Sequence, residues 1–434
     1  MKKLFCSIIS SIFLVGCTNS DEPDVQIPQK DSESDLNFSK MRTLEEVLEI
    51  ADNASNMITP SGDENGLSRG YGRVIDYQTP IYNIGPKNSR SNDNNTLMYV
   101  VNYTDNNGFA LVSAPRDAPE LLAVTEHGHY NPSEPIELEG FNLWMDETIE
   151  MLEAITNDEN IPDITSPVSL DTIIKTVRDT IWYREVAPKV RVAWGQGKDN
   201  IIQDACEGLE CPNGISGCAN TAVAMVMSYL ERPSSIKLTY LPEKPILSLN
   251  WKELKKYLSY DDTQLCVFPE SDYPIRTSLA SLLREIGEQA NSDYRSTATG
   301  TYPSVTPSLL RQFSLSSASD WTYGGGVASY EVIFNTPGAI LLVRGNSSRG
   351  GHQWICDGVQ NYVIENKLYK SGNGGITWKY SSSSYSPEYY YIHYNWGWHG
   401  KCNGHYYHTD TWSRKNGEEY IEFNSNRQFI TIMR

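Results

Sequence analysis

The chain has 434 residues, enough for two or three domains at about 100–200 residues each. Its composition is 39% hydrophobic and 21% charged, which allows a packed core and excludes wholesale disorder. The net charge of −18 argues against a nucleic-acid partner, because proteins bind phosphates mainly through lysine and arginine.

The first 17 residues have the layout of an export signal. Lys2 and Lys3 precede an apolar run from Leu4 to Val15, which is too short for a membrane-spanning helix of about 20 residues. The run ends in LVGC, which resembles the lipobox of bacterial lipoproteins and predicts lipidation of Cys17. The alternative is an ordinary signal peptide that is cleaved nearby. The acidic stretch SDEPD resembles export signals of Bacteroidetes surface lipoproteins, so we expect an outer-membrane or cell-surface protein held by lipid alone.

The next part of the chain predicts a tether and then a small domain. Residues 18–40 are polar and acidic, as is typical of a flexible tether. The segment RTLEEVLEIADNAS predicts a helix with one apolar face, made of Leu44, Val47, Leu48, Ile50 and Ala51. Two β-rich runs around Asp105–Gly108 predict a hairpin, and GFNLWMDETIEMLEAI predicts a second helix. These elements indicate an α+β domain over residues 41–155.

The remaining chain divides into a linker and a larger domain. Residues 156–187 are mixed and acidic and contain prolines, so we interpret them as a linker and processing region. Within residues 188–434, a helix is predicted to begin at Cys218 and another to span about 277–291, whereas β-branched and aromatic strands dominate from about 338 onward. This order predicts an α+β domain with two unlike halves and a site in the cleft between them.

Cys218 follows Gly217 at the start of its predicted helix. A helix N-terminus favours a thiolate, which is the nucleophilic form of cysteine. Half of a disulfide and a small core side chain remain alternatives, because six cysteines would persist after export and lipidation. The spacings do not match those of zinc sites, so we expect no metal and no other cofactor. The sequence does not show how the other five cysteines pair: Cys206, Cys211, Cys266, Cys356 and Cys402.

Four further residues supply what a nucleophilic cysteine needs. His352 lies 134 residues after Cys218 and follows a glycine pair, so its ring is a candidate base. Asn395, another 43 residues on, would hold that ring in the useful tautomer, and the neighbouring Trp396 would shield their hydrogen bond from water. Gln196, 22 residues before Cys218, is a candidate oxyanion donor together with the Cys218 N–H.

The ordered segments WGQ, GCANTAVAMVMSYL, GGHQWICDGV and HYNWGW together resemble the streptopain family of papain-like cysteine peptidases. YVVNYTDNNGFALVSAPRDAPELLAVTEHGHY resembles the inhibitory propeptide of that family, and PKVRVAWGQ resembles the start of its mature enzymes. The resemblance implies a papain-like two-lobed catalytic domain, with a helical half and an antiparallel β half, preceded by a propeptide domain that inhibits it.

The resemblance also implies a role for each candidate residue. Cys218 would be the nucleophile, His352 the general base and acid, Asn395 the residue that orients His352, and Gln196 the oxyanion donor. The chain departs from the family at WGWHGKCNGHYY, where Gly-rich sequence is usual. We expect the histidine and cysteine of that segment, His399 and Cys402, at the rim of the cleft and away from the catalytic residues.

These patterns predict an exported cysteine endopeptidase, made as a zymogen, that hydrolyses protein or peptide substrates through a thioester. A transglutaminase-like acyltransferase is one alternative, because it uses the same residues and passes the acyl group to an amine. A non-catalytic surface-binding protein on the same fold is the other.

Overall fold

The computed structural model describes residues 40–57, 73–82, 96–134, 138–156, 173–197, 211–241, 243, 246–256, 273–316, 320–324, 326–347, 350–371, 377–386, 388–408, 415–416, 419–420 and 427–434. The predicted signal, Cys17, nearly all of the tether and two of the cysteines, Cys206 and Cys266, lie outside the described residues. No helix within the described residues is long and apolar enough to cross a membrane.

The helices of the described residues fall into an N-terminal pair and a later group. They are α1 (Leu44–Ala54), α2 (Glu139–Thr156), α3 (Cys218–Leu230), α4 (Trp251–Lys256), α5 (Tyr273–Gln289), α6 (Thr306–Gln312) and α7 (Gly326–Asn335). Short 3-10 turns span Ser55–Met57, Thr104–Asn106 and Pro303–Val305.

Most strands belong to one large sheet. The strands are β1 (Ile75–Tyr82), β2 (Thr96–Tyr103), β3 (Phe109–Ser113), β4 (Leu121–Thr125), β5 (Ile173–Val186), β6 (Ser235–Lys237), β7 (Ile246–Ser248), β8 (Asp293–Tyr294), β9 (Thr299–Gly300), β10 (Thr322–Tyr323), β11 (Ala339–Ser347), β12 (Gly350–Ser371), β13 (Lys379–Tyr385), β14 (Tyr389–Asn395), β15 (Gly404–Tyr407), β16 (Lys415–Asn416), β17 (Glu419–Tyr420) and β18 (Gln428–Met433).

The large sheet has the order β1-β2-β3-β4-β15-β14-β12-β11-β18-β10, and β5 and β13 also pair with β12. Its strands are antiparallel, and it crosses the predicted domain boundary between β4 and β15. Ala123, Val124 and Thr125 of β4 lie opposite Tyr406, His405 and Gly404 of β15. We call residues 41–155 the N-terminal module and residues 188–434 the C-terminal module, so a continuous sheet joins the two modules.

The sequence of strand β11 is apolar at successive positions and does not alternate between apolar and polar residues. Ile340 and Leu342 pack into a core that includes α3 and α5, whereas Leu341 and Val343 pack into a second core that includes α2 and the strands of the N-terminal module. Both faces of the strand are therefore buried, and each such side chain stabilises the fold by about 1.5–3 kcal/mol. Helices thus lie on both faces of this part of the antiparallel sheet, and the mixture of helices with an antiparallel sheet agrees with the predicted α+β class.

The elements predicted in the N-terminal module are present. Helix α1 begins with a capping box, in which Thr43 accepts from the Glu46 N–H and Glu46 accepts from the Thr43 N–H. The predicted hairpin joins β2 to β3, and Asp105, Asn106 and Gly108 have positive φ in its turn. Helix α2 includes the whole segment that is predicted as the second helix.

The predicted linker contains a long strand. Strand β5 pairs antiparallel with β12, from Val186 opposite Val359 to Ile173 opposite Ser371. The prolines of this region lie at 162, 167 and 188, outside the strand, and the strand itself is rich in β-branched residues. The linker interpretation therefore does not describe residues 173–186, which belong to the sheet.

Candidate active site

Cys218 is the first residue of α3, as predicted, and it lies in a cleft of about 1000 Å³. Gly217 precedes it with φ of 82°, a conformation that favours glycine. A Cβ on Gly217 would also lie 2.7 Å from the carbonyl oxygen of Thr299 in the cleft wall. The Cys218 thiol is free and half-buried, so the disulfide and core interpretations do not describe it.

His352 faces Cys218 from the start of β12 and is 3% exposed. One nitrogen of its ring, the Cys218 Sγ and a carboxylate oxygen of Glu139 all lie within 4.8 Å of one another. Burial lowers the pKa of His352, but the charge of Cys218 and then the carboxylate of Glu139 outweigh burial and raise that pKa to about 9. The structure therefore joins the two predicted catalytic residues and places the His352 imidazole beside the Cys218 sulfur and the Glu139 carboxylate.

Glu139 comes from the N-terminal module, at the first turn of α2. Its Oε2 lies 3.5 Å from Nδ1 of His352, and its side chain is 60% exposed. The next residue, Gly140, allows a close approach, because a Cβ there would lie 2.5 Å from both the His352 Cδ2 and the Trp396 Cε3. Asn142 of the same helix also lines the cleft. The sequence analysis missed these residues, and no local pattern distinguishes Glu139 from other acidic residues of this helix.

Asn395 ends β14 but does not bond to His352. Its Nδ2 donates to the Val192 carbonyl at 3.0 Å, and its Oδ1 accepts from the Gly397 N–H at 3.2 Å. Nε2 of His352 instead donates to the Trp396 carbonyl at 3.2 Å. The predicted Asn395–His352 hydrogen bond is thus absent from this form of the chain, in which Glu139 and Gly140 contact the His352 side chain. The orienting role of Asn395 stays a prediction for the form that has lost the N-terminal module.

Trp396 is buried against the catalytic histidine. Its ring centroid lies 6.5 Å from that of His352 and 5.3 Å from that of Trp354. The indole N–H donates to the Cys402 carbonyl at 3.0 Å. Cys402 is fully buried, so the expectation that it lies at the rim of the cleft is wrong. His399 lies against Gly195, beside the predicted oxyanion donor.

Gln196 lies next to the start of α3. Its N–H donates to the Gly397 carbonyl at 3.1 Å, and its own carbonyl accepts from the Gly217 N–H at 3.3 Å. Its side chain is 6% exposed and lines the same cleft as Cys218. The side-chain Oε1 is buried without a hydrogen-bond partner. This position is compatible with the predicted donor role, which would bring the side-chain amide to a developing oxyanion.

A second histidine joins the two modules below the cleft. His393 of β14 is fully buried, and its Nδ1 lies 2.6 Å from Oδ1 of Asp357. Its Nε2 lies 3.3 Å from Oε1 of Glu126, a residue of the N-terminal module that is only 7% exposed. Burial lowers the pKa of His393, but Asp357 and then Glu126 raise it to about 10. Sequence analysis missed this ion triad too, because the pairing of β4 with β15 brings it together.

Two protein-family models match parts of the chain. The Peptidase C10 family model matches residues 194–406, and the Spi protease inhibitor model matches residues 64–151. The chain is 20% identical, over 338 residues, to the thiol protease/hemagglutinin PrtT of Porphyromonas gingivalis. That alignment covers 72% of this chain and 34% of the relative, so the chain matches about a third of the relative's length.

Two solved structures from Prevotella intermedia are also similar. The prointerpain A fragment is 20% identical with a TM-score of 0.46, and the match covers 76% of this chain and 94% of that one. The active interpain A cysteine protease is 19% identical with a TM-score of 0.36, and the match covers 56% of this chain and 93% of that one. The two family models divide the chain where its modules divide: the C-terminal module belongs to the peptidase C10, or streptopain, family, and the N-terminal module matches the Spi-type inhibitor family.

Proposed function

We propose that the chain is a cysteine endopeptidase made as a zymogen, with Cys218 as nucleophile and His352 as general base and acid. The observation that carries the proposal is the meeting of a free thiol at a helix N-terminus with a buried histidine in one cleft. A helix N-terminus and a neighbouring imidazolium both favour the thiolate that must attack. Membership in the C10 family supports the same reaction.

The reaction follows from these groups. The Cys218 thiolate attacks the carbonyl carbon of the peptide bond, and the resulting oxyanion takes hydrogen bonds from the Cys218 N–H and the Gln196 side chain. His352 gives a proton to the leaving amine, which leaves a thioester on Cys218. His352 then accepts a proton from water, which hydrolyses the thioester and frees the thiol. Asn395 orients the ring of His352 once the ring is released from Trp396.

The N-terminal module is the inhibitor in this proposal. Glu139, Gly140 and Asn142 reach the cleft or its histidine, and thus lie in the way of a substrate. Outside the cleft, the β4–β15 pairing and the bond from the Trp144 indole to the Tyr407 carbonyl, at 2.9 Å, dock the module. A covalently attached inhibitor has an effective concentration of about millimolar, so cleavage between the modules is needed before it can leave.

We also propose that the zymogen is exported and anchored by lipid on Cys17. The apolar run and LVGC at the start of the sequence support this proposal. The anchor would lie on the inhibitory part, so processing would free the peptidase from the membrane. Cys17→Ser should leave membrane fractions or fail to mature, and full retention in the envelope would contradict the anchor.

Thiol labelling tests the proposed nucleophile. Iodoacetamide at mildly acidic pH should label Cys218 first in processed protein. The loss of peptide hydrolysis should be proportional to the fraction of Cys218 that is labelled. Cys356 is the matched internal control, because it is buried and its burial raises its pKa well above the ordinary range. Retained hydrolysis after full Cys218 labelling would overturn the proposal, and transfer of the acyl group to an added amine in preference to water would favour the acyltransferase.

A further inference from the structure

We propose that the intact chain binds one zinc ion through Cys218, His352 and Glu139. The donor atoms are a thiol sulfur, an imidazole nitrogen and a carboxylate oxygen, all within 4.8 Å of one another. Cysteine, histidine and carboxylate are the usual ligands of zinc in proteins, and three protein ligands with an open fourth position form a common type of zinc site. The site takes two ligands from the C-terminal module and one from the N-terminal module.

The geometry needs only a small closure. Ligands about 2.0–2.3 Å from a tetrahedral zinc ion lie about 3.3–3.8 Å apart, so the three donors must approach one another by about 1.5 Å at most. Glu139 can supply this movement, because its side chain is 60% exposed and extends from the first turn of α2. The cleft leaves room for a water molecule at the fourth position.

The histidine provides an independent indication of a missing ligand. Nδ1 of His352 is buried and has no hydrogen-bond partner, and the Glu139 oxygen at 3.5 Å is too far for a good hydrogen bond. The other ring nitrogen donates to the Trp396 carbonyl, an arrangement that commonly fixes a metal-binding histidine. The ring is therefore held with one free nitrogen towards Glu139.

Zinc at this position would make the active-site contact between the modules stronger. It would use the nucleophile and the base as ligands while binding a carboxylate of the inhibitory module, so it would favour the latent form; this consequence rests on the proposed peptidase function. The binding itself does not rest on that function, because it depends on three donor atoms and can be measured without a substrate.

Cobalt is the spectroscopic probe for this site. Purified full-length protein, shown by gel to be uncleaved, is titrated with Co²⁺ and then with Zn²⁺ in competition with a chromophoric chelator. We expect one equivalent of Co²⁺ to produce a thiolate-to-cobalt charge-transfer band that Zn²⁺ abolishes. Cys218→Ser should lose the band, and Glu139→Gln should weaken zinc binding about tenfold or more. Glu150→Gln, which changes an exposed carboxylate on the same helix, should leave the affinity unchanged.

The outcomes separate the proposal from its rivals. Absence of the charge-transfer band in the wild-type chain, or its survival in Cys218→Ser, would overturn the site. An unchanged zinc affinity in Glu139→Gln would restrict binding to the cysteine and histidine and overturn the role of the N-terminal module. A chain that binds zinc as described but hydrolyses no peptide after processing would leave the site intact and contradict the peptidase function.

Discussion

Two carboxylate–histidine pairs cross from the N-terminal module to the C-terminal module, and they differ in burial. Glu139 meets His352 in the open cleft at 3.5 Å, and its side chain is 60% exposed. Glu126 meets His393 below the cleft at 3.3 Å, where both side chains are buried and Asp357 completes a triad. Water screens the first pair, so it contributes little to stability, whereas an unpaired charge in the second would be costly.

This difference separates inhibition from docking. The Glu139 carboxylate contacts the catalytic histidine but is largely exposed, so Glu139 can block that histidine without fixing the module in place. The side chains of the buried triad are not accessible to solvent while the modules are joined. We therefore assign latency to the cleft contact, and we assign attachment of the module to the β4–β15 edge together with Glu126. The predictions below test this division in Cys218→Ala protein unless stated, because that variant should not process itself.

Glu126→Gln should have the largest effect on docking. It removes the negative charge that lies 3.3 Å from the His393 Nε2, and breaking a buried ion pair typically costs about 3–5 kcal/mol. We expect a lower Tm and faster cleavage between the modules by an added protease. Glu150→Gln is the matched control on an exposed surface, and identical Tm and cleavage rates for the two variants would contradict the docking role of Glu126.

Alkaline pH should weaken docking in the same way, by a smaller amount. The pKa of His393 is raised from 6.5 to about 10, so its ionic contribution is fully present below pH 6.5 and is lost as the pH rises through about 10. The titrating ring faces Asp357, Glu126 and the ring of His405, whose own pKa burial and His393 lower. Tm measured from pH 6 to 10 should fall more in the parent than in Glu126→Gln. A parallel fall in both would assign the effect to other groups.

Glu139→Gln should change stability least and reactivity most clearly. The exposed pair contributes less than about 1 kcal/mol, so Tm should stay within error of the parent. In a chain that retains Cys218, loss of the carboxylate removes a negative charge within 4.8 Å of the Cys218 sulfur, and a nearby like charge disfavours a thiolate. Iodoacetamide should then label Cys218 severalfold faster in the uncleaved, metal-free chain. A fall in Tm as large as that of Glu126→Gln would abolish the distinction between the two pairs.

The sequence predicts those residues of the site that short local motifs identify. Cys218 at a helix start and His352 at a strand start follow from short motifs, and their separation along the chain matches the streptopain pattern. Gln196 lies beside them, as predicted.

The contacts between the two modules cannot be predicted from short sequence motifs. Glu126 reaches His393 only because β4 pairs with β15, and that register joins residues more than 260 positions apart. Strand β5 carried a usable signal, since IIKTVRDTIWYREV is rich in β-branched and aromatic residues, but the surrounding prolines and acidic residues indicated a linker. The predicted Asn395–His352 bond is missing because the Asn395 side chain bonds to the backbone of Val192 and Gly397, which no motif around Asn395 encodes.

The most direct test of latency is a peptidase assay on one preparation before and after cleavage between the modules. Wild-type protein is purified uncleaved, assayed with a peptide library by mass spectrometry, treated with an added protease that is then inhibited, and assayed again. We expect almost no hydrolysis while a gel shows the chain intact, and strong hydrolysis after cleavage that Cys218→Ala lacks under the same treatment. Full hydrolysis by the intact chain would contradict inhibition by the N-terminal module, and equal hydrolysis by treated Cys218→Ala would contradict the catalytic role of Cys218.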